Sequence, residues 1–256
     1  MPNLTINGSL ELYYEVHGRG KPIVFIHPPA MGHEVFMHQR TLAKHYQLIF
    51  LDLPGHGKST AGTELLDIPY LADCVYQLLD YLKYREVTIC GFSHGTLIAQ
   101  EFALQHPECV SELILCSGYP EVKTLNIKSL AIGGMILSKL NLVPVIAKVL
   151  AKTHRYYRED EAVLYRYALK ADPQKIHEYI KQGLRYSAVP VLHRITKPVL
   201  LVYGTREKMN HRYFRDFDRE LQHVEAAMVD GAPHELPPRF FHEFNGIVHQ
   251  FLKSRE

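Results

Sequence analysis

Residues 90–96, CGFSHGT, place a serine between two glycines, directly after an apolar run and directly before a run of helical spacing. Residues 91–95 have the form G-x-S-x-G, in the strand–turn–helix context that this motif requires to present a nucleophile. A sharp turn here strains the backbone of Ser93, and Cβ atoms at the two glycine positions would collide with the neighbouring chain. The turn lifts the serine hydroxyl off the sheet, and the helix N-terminus offers unpaired N–H groups to negative charge. The stretch predicts a nucleophilic serine.

Short β-branched apolar runs alternate with runs of helical spacing on both sides of this stretch. The predicted strands are residues 10–16, 23–26, 47–51, 87–90, 110–116, 199–203 and 225–229. The predicted helices are residues 35–44, 70–82, 96–105, 213–221 and 240–252. Continuous apolar strands that alternate with helices indicate an α/β fold, with a mostly parallel sheet and helices on both faces.

The regular alternation stops between about Tyr119 and Val189. This segment is helix-like throughout, with Pro144 and the pair Asp172-Pro173 as breakers. We therefore expect one overall domain, in which a core of residues 1–119 and 190–256 carries a helical insertion of residues 120–189.

A serine hydroxyl needs a base to take its proton, and a histidine held by a carboxylate is the usual solution. In the order serine, acid, histidine, the base should follow the last strand, where Asp230 to Glu235 read DGAPHE. His234 is the candidate base. The acid should follow the preceding strand, and Glu207 is the candidate there. A solvated glutamate between Arg206 and Lys208 is the competing interpretation of that residue.

The chain resembles the α/β-hydrolase fold superfamily of serine hydrolases, over nearly its whole length. Besides G-x-S-x-G, the resemblance rests on residues 52–59, DLPGHGKS, on the apolar strand that ends in His27, and on the GTRE and GAPH stretches that end in Glu207 and His234. It implies a mostly parallel eight-stranded sheet, with a helical cap of about residues 120–190 over the site.

The same resemblance implies an oxyanion hole made of two backbone N–H groups. His94, the residue after the nucleophile, supplies one. The second should come from the loop after the strand that ends in His27, but straightforward counting puts Pro29 there, and proline has no N–H. We expect the loop to shift so that Ala30 donates; the alternative is a weaker site than usual.

These residues predict an enzyme that hydrolyses a carboxylic ester, or a related acyl bond, through a covalent Ser93 intermediate. Two alternatives stay open. The same triad serves C–C bond hydrolases, peroxidase-like enzymes and lyases in this superfamily. A low-turnover ligand sensor or signalling protein on a hydrolase fold is the other alternative, and Pro29 and the glutamate at the acid position favour it.

Composition and motifs limit the classes of molecule that we expect the protein to bind. The chain has 256 residues and a formal net charge of +2, which gives no reason to expect nucleic acid. No zinc-binding spacing is present, so we expect neither a metal nor a cofactor.

The N-terminus does not read as a signal peptide, which favours a cytoplasmic location. We expect a small-molecule substrate with an apolar acyl group.

Residues 129–150, SLAIGGMILSKLNLVPVIAKVL, are apolar but interrupted by Lys139, Asn141, Pro144 and Lys148. A stable membrane span needs about 20 mostly apolar residues with few charges. We expect a pair of amphipathic helices that cover a pocket, and a membrane-touching lid is the alternative.

Overall fold

The computed structural model describes residues 3–6, 8–207 and 211–255, and within them eight strands form one sheet. The strands are β1 (Asn3–Ile6), β2 (Leu10–His17), β3 (Pro22–Ile26), β4 (Gln47–Leu51), β5 (Val87–Phe92), β6 (Val110–Cys116), β7 (Val199–Gly204) and β8 (Val224–Val229). Their order across the sheet is β1-β2-β4-β3-β5-β6-β7-β8. β2 pairs antiparallel with β1 and β4, and all other neighbouring strands pair in parallel. The predicted α/β fold with a mostly parallel eight-stranded sheet is confirmed.

Helices occupy most of the connections between strands. The α-helices are α1 (Ile68–Tyr81), α2 (Gly95–Gln105), α3 (Leu125–Lys139), α4 (Val143–His154), α5 (Arg158–Ala168), α6 (Pro173–Gly183), α7 (His211–Glu220), α8 (Leu236–Arg239) and α9 (Phe241–Lys253). The helix predicted for residues 35–44 is instead a 3₁₀ segment, His33–Lys44, with non-helical backbone at Phe36. The Phe36 ring is fully buried against Phe25 and Phe92, and this packing accompanies the kink.

The strand β1 has no counterpart among the individually predicted strands. It is four residues long, and of these only Ile6 is buried. So short a segment, exposed at the edge of the sheet, gives no readable alternation of apolar and polar residues. Its pairing with β2 is what defines it as a strand.

Both faces of the sheet are covered. Because successive side chains of a strand point to opposite faces, Val24 and Ile26 of β3 join one buried cluster, whereas Ile23 and Phe25 join another. Helices α1, α2 and α7 supply apolar side chains to the first cluster, and α9 with the 3₁₀ segment supplies them to the second. Burial on both faces explains why the central strands are continuous apolar runs.

Helices α3 to α6 follow one another between β6 and β7, inside the stretch predicted as a cap. Residues 129–150 fall on α3, a short turn and α4, as expected for a pair of helices. Among the described residues, no helix combines the length and apolarity needed to cross a membrane. The division of the chain into a core and a cap at residues 120–189 stays a prediction.

Candidate active site

The turn after β5 has the geometry that its glycines suggest. Ser93 adopts a positive φ of 53°, a left-handed conformation that costs an ordinary residue about 1–2 kcal/mol. A Cβ on Gly91 would lie 2.8 Å from the Gly95 carbonyl oxygen, and one on Gly95 would lie 2.3 Å from the Ile26 carbonyl oxygen. Only glycine fits at either position, because β3, β5 and α2 approach each other so closely here.

Ser93, His234 and Glu207 form one hydrogen-bonded chain. Ser93 Oγ lies 2.8 Å from His234 Nε2, and His234 Nδ1 lies 2.5 Å from Glu207 Oε1. The three residues follow the carboxyl ends of β5, β8 and β7, which lie at one edge of the sheet. Glu207 is only 3% exposed, so the structure does not match the interpretation of this residue as a solvated glutamate.

Ser117 holds the acid and the base together, and sequence reasoning missed it. It directly follows β6 and has a positive φ of 51°. Its hydroxyl donates to Glu207 Oε2 at 2.7 Å and lies 2.9 Å from the His234 carbonyl oxygen. The hydroxyl therefore fixes the carboxylate and the loop that carries the imidazole. The sequence offered one signal for it: Ser117 follows β6, the strand beside β5, in the same way that Ser93 follows β5.

Electrostatics set the protonation state of His234. Burial on its own lowers the pKa of the imidazole, but the hydrogen bond and the negative charge of Glu207 outweigh burial, so the pKa lies above 6.5. Glu235 adds a smaller effect in the same direction. The imidazole is thus a somewhat stronger base than a free histidine, and Nδ1–H donates to Glu207, which leaves Nε2 to face the Ser93 hydroxyl.

Ser93 and His234 open into a cavity of about 650 Å³. His94 and Ala30, the two predicted oxyanion donors, line the same cavity, together with Pro28 and Pro29. Most of the remaining wall is aliphatic and comes from the helical segment α3–α6: Ile127, Leu130, Ala131, Leu137, Ile146, Val149, Leu150, Ile176 and Ile180. Ala30 has a positive φ of 66° and is 2% exposed. The geometry brings the five predicted site residues together around one apolar chamber, with Glu207 behind the wall.

The imidazole of His94 is held by two tyrosines, Tyr119 and Tyr179. Its Nδ1 lies 2.8 Å from the Tyr119 hydroxyl, and its Nε2 lies 3.3 Å from the Tyr179 carbonyl oxygen. Burial lowers the pKa of this imidazole to about 4, so the ring is neutral near pH 7. His94 is therefore anchored by its ring, and this anchor fixes the backbone beside Ser93.

A third histidine, His154 on α4, lines the cavity beside His94 and His234, and no sequence motif pointed to it. Its Nδ1 lies 2.9 Å from the Leu150 carbonyl oxygen, to which it donates. Burial, together with the nearby His234, lowers the pKa of His154 to about 3, so its Nε2 is an unprotonated acceptor. Across the described residues, no group of three or more His, Cys, Asp or Glu side chains is placed to hold a metal ion.

Comparison with known proteins identifies similar chains. A pimeloyl-[acyl-carrier protein] methyl ester esterase from Nitrosospira multiformis is 26% identical over 89% of this chain and 92% of its own length. An (E)-2-((N-methylformamido)methylene)succinate hydrolase from Acinetobacter baylyi is 30% identical, but over only 45% of this chain and 44% of its own length. Among solved structures, an esterase from Exiguobacterium antarcticum superposes with a TM-score of 0.88 at 19% identity, over 98% of each chain.

The sequence model of the alpha/beta hydrolase fold matches residues 21–237. This range begins just before β3 and extends past His234, so it includes the strands and loops that carry the candidate site. The match covers well over half of the chain, and the chain belongs to the α/β-hydrolase fold family.

Proposed function

We propose that this protein hydrolyses carboxylic esters through a covalent acyl-enzyme on Ser93. The observation that carries the proposal is the continuous contact from Ser93 Oγ through His234 to Glu207, at 2.8 Å and 2.5 Å, in the wall of an apolar cavity. A nucleophile, a base and a group that orients the base are the parts that acyl transfer requires.

The reaction follows from these positions. Ser93 Oγ attacks the ester carbonyl carbon while His234 Nε2 takes the hydroxyl proton, which gives a tetrahedral oxyanion. The C–O bond to the alcohol then breaks, and the alcohol leaves with the proton from His234. Water repeats the sequence: His234 takes one of its protons, its oxygen attacks the acyl carbon, and Ser93 leaves with that proton as the acid is released.

Two backbone N–H groups stabilise the oxyanion in this proposal. His94 follows the nucleophile at the N-terminus of α2, where backbone N–H groups and the helix dipole favour negative charge. Ala30 supplies the second, in place of Pro29. The positive φ of Ala30 supports this role, because it turns the loop just after the two prolines, as the predicted shift requires.

The acyl group of the substrate is apolar in this proposal. The aliphatic side chains of α3, α4 and α6 that line the cavity favour such a group over a charged one. A relative that aligns over 89% of this chain and 92% of its own length is named an esterase, which supports an ester as the scissile bond. The buried Glu207 and the place of Ala30 in the cavity wall weigh against the low-turnover sensor.

A stepped series of p-nitrophenyl esters tests this function. We expect a rapid burst of p-nitrophenol, a mass increase equal to the acyl group, and better turnover with apolar chains than with succinyl or amino-substituted ones. Ser93→Ala should lose the burst, the adduct and the turnover. Hydrolysis that proceeds equally well in Ser93→Ala, without an acyl adduct in the wild type, contradicts the proposal.

A further inference from the structure

Helices α3 and α4 expose large aliphatic side chains to solvent. Leu125 is 80% exposed, Leu140 62%, Val149 55% and Ile136 53%. Large exposed apolar patches on proteins mark sites that interact with other proteins or with membranes. We call it, together with its lysines, the cap aliphatic–lysine surface; its apolar members are Leu125, Ile132, Ile136, Leu140, Leu142, Val145 and Val149.

Lysines share the exposed stripes of both helices. On α3, Lys128 and Lys139 lie at helical spacing from Ile132 and Ile136, and on α4, Lys148 and Lys152 alternate with Val145 and Val149. All four lysines are exposed. No aspartate or glutamate occurs between Glu121 and Glu159. The segment that forms this surface therefore combines aliphatic side chains with positive charges and contributes no negative charge.

This surface continues into the candidate active site. Val149 is exposed on the α4 stripe and also lines the cavity, and the neighbouring Thr153 does the same one turn later. Leu130 of α3 is 68% exposed and lines the cavity as well. A partner that covers the surface would thus lie against the rim of the chamber that holds Ser93.

We propose that the cap aliphatic–lysine surface docks the protein on anionic lipid bilayers. Aliphatic side chains that enter the acyl boundary while lysines contact the headgroups are the two components of interfacial helix binding. Lysine suits this role because its flexible stem extends along apolar groups and keeps the ammonium in the headgroup region.

The composition of the surface favours lipid over protein as the partner. Protein interfaces are enriched in aromatic residues and arginine, and depleted in lysine. Residues 125–154 contain no aromatic residue and no arginine, but four lysines. A bilayer needs no such anchors, since it takes up aliphatic groups and attracts lysine without specific pockets.

Docking in this way would turn the rim of the cavity toward the membrane. If the protein hydrolyses esters as proposed above, substrates dissolved in the bilayer then reach Ser93 along an apolar route. The docking itself does not depend on catalysis, so it can be tested with Ser93→Ala.

Co-sedimentation with vesicles is the direct test. Ser93→Ala protein should bind vesicles of equimolar phosphatidylcholine and phosphatidylglycerol, bind pure phosphatidylcholine vesicles much more weakly, and dissociate as salt is raised. Because a lysine near an anionic surface contributes about 1 kcal/mol, each removed lysine should lower the partition coefficient about five-fold.

Matched variants locate the contact. Lys139→Gln with Lys148→Gln, and separately Ile132→Ser with Ile136→Ser, should each weaken vesicle binding strongly. Lys44→Gln with Lys253→Gln removes the same charge from exposed sites outside the surface and should change it little. All of these positions are exposed, and circular dichroism checks that the variants fold.

Three results overturn the proposal. One is no binding to anionic vesicles at low salt. Another is an equal loss in the control pair and the cap pair, which would mean that net charge alone drives binding. The third is a soluble dimer that the isoleucine substitutions dissociate while vesicles bind none of the protein, because a second copy would then cover the surface.

Discussion

Two histidine–carboxylate pairs lie near the carboxyl ends of parallel strands, and they differ in the group that the second ring nitrogen contacts. In both pairs a histidine Nδ1 contacts a carboxylate oxygen: His234 and Glu207 at 2.5 Å, His33 and Asp52 at 2.9 Å. His234 Nε2 faces the Ser93 hydroxyl, whereas His33 Nε2 lies 3.4 Å from Glu15 Oε1.

This difference changes the chemistry of the two rings. Burial lowers the pKa of His33, but Asp52, Glu15 and Glu34 outweigh burial and raise it to about 9. The pKa of Asp52 falls to about 2, despite burial, through the same contact. His33 is therefore a charged ion-pair partner below pH 9, and Tyr167 of α5 also bonds Asp52, at 2.5 Å. A histidine beside a carboxylate acts as a base only when its other nitrogen faces a nucleophile.

The largest loss of activity should follow replacement of His234, whose Nε2 faces the Ser93 hydroxyl. His234→Ala should lower kcat by a factor on the order of 10⁶, because the serine then lacks its base. Steady-state ester hydrolysis measures this, and thermal unfolding should show a folded protein. If His234→Ala keeps most of its kcat, the base lies elsewhere, and His154 is the next residue to replace.

Glu207→Gln should lower kcat by a factor on the order of 10⁴, since an amide neither orients the imidazole in the right tautomer nor stabilises its charge. The wild-type profile of kcat/KM should rise through a pKa above 6.5, where His234 loses its proton. In Glu207→Gln, the residual rate should rise with pH through a lower pKa than in the wild type, because the carboxylate that raises the pKa of His234 is gone. Glu235→Gln, the same change beside the same histidine, is the control and should retain nearly full activity; an equal loss there would contradict the assignment of the acid.

His33→Gln tests the other histidine–carboxylate pair, and it should affect the free energy of unfolding more than catalysis. Removing one partner of a buried pair costs about 3–5 kcal/mol of the free energy of unfolding. The raised pKa of His33 means that its stabilisation is complete below about 6.5 and is lost as pH rises through about 9. Urea unfolding should therefore show wild type losing stability across that window and His33→Gln losing less. The same pH dependence in both proteins would contradict the ion pair.

Ala30→Gly should have the smallest effect. Glycine adopts the φ of 66° without strain and keeps the N–H, so kcat should be essentially unchanged. Ala30→Pro cannot adopt that φ and lacks the donor, and should lower kcat by at least about 10²-fold. Equal activity in the two variants would remove Ala30 from the oxyanion hole.

The features that could be predicted from the sequence are those that a short run of neighbouring residues determines. A few consecutive residues determine the turn around Ser93 and the buried strands of the sheet. The same holds for the strands that lead to Glu207 and His234. The strand β4 and the strand β6 have the predicted bounds, 47–51 and 110–116. Such features are set by steric requirements of the backbone, which the sequence states directly.

Other features of the structure depend on contacts between segments that are distant in the sequence. Ser117 meets Glu207 across 90 residues, and Tyr167 meets Asp52 across 115. His154 belongs to an ordinary helical pattern, and only the fold brings it to the cavity. The short strand β1 and the kink at Phe36 are likewise set by pairing and ring packing rather than by local pattern.

The most direct test of an activated Ser93 is the intact mass of the protein after incubation with a fluorophosphonate. We expect a single adduct on the wild type and on Ser129→Ala, a control at another serine that lines the cavity, and no adduct on Ser93→Ala. An adduct that persists in Ser93→Ala, or none on folded wild-type protein, would contradict this expectation.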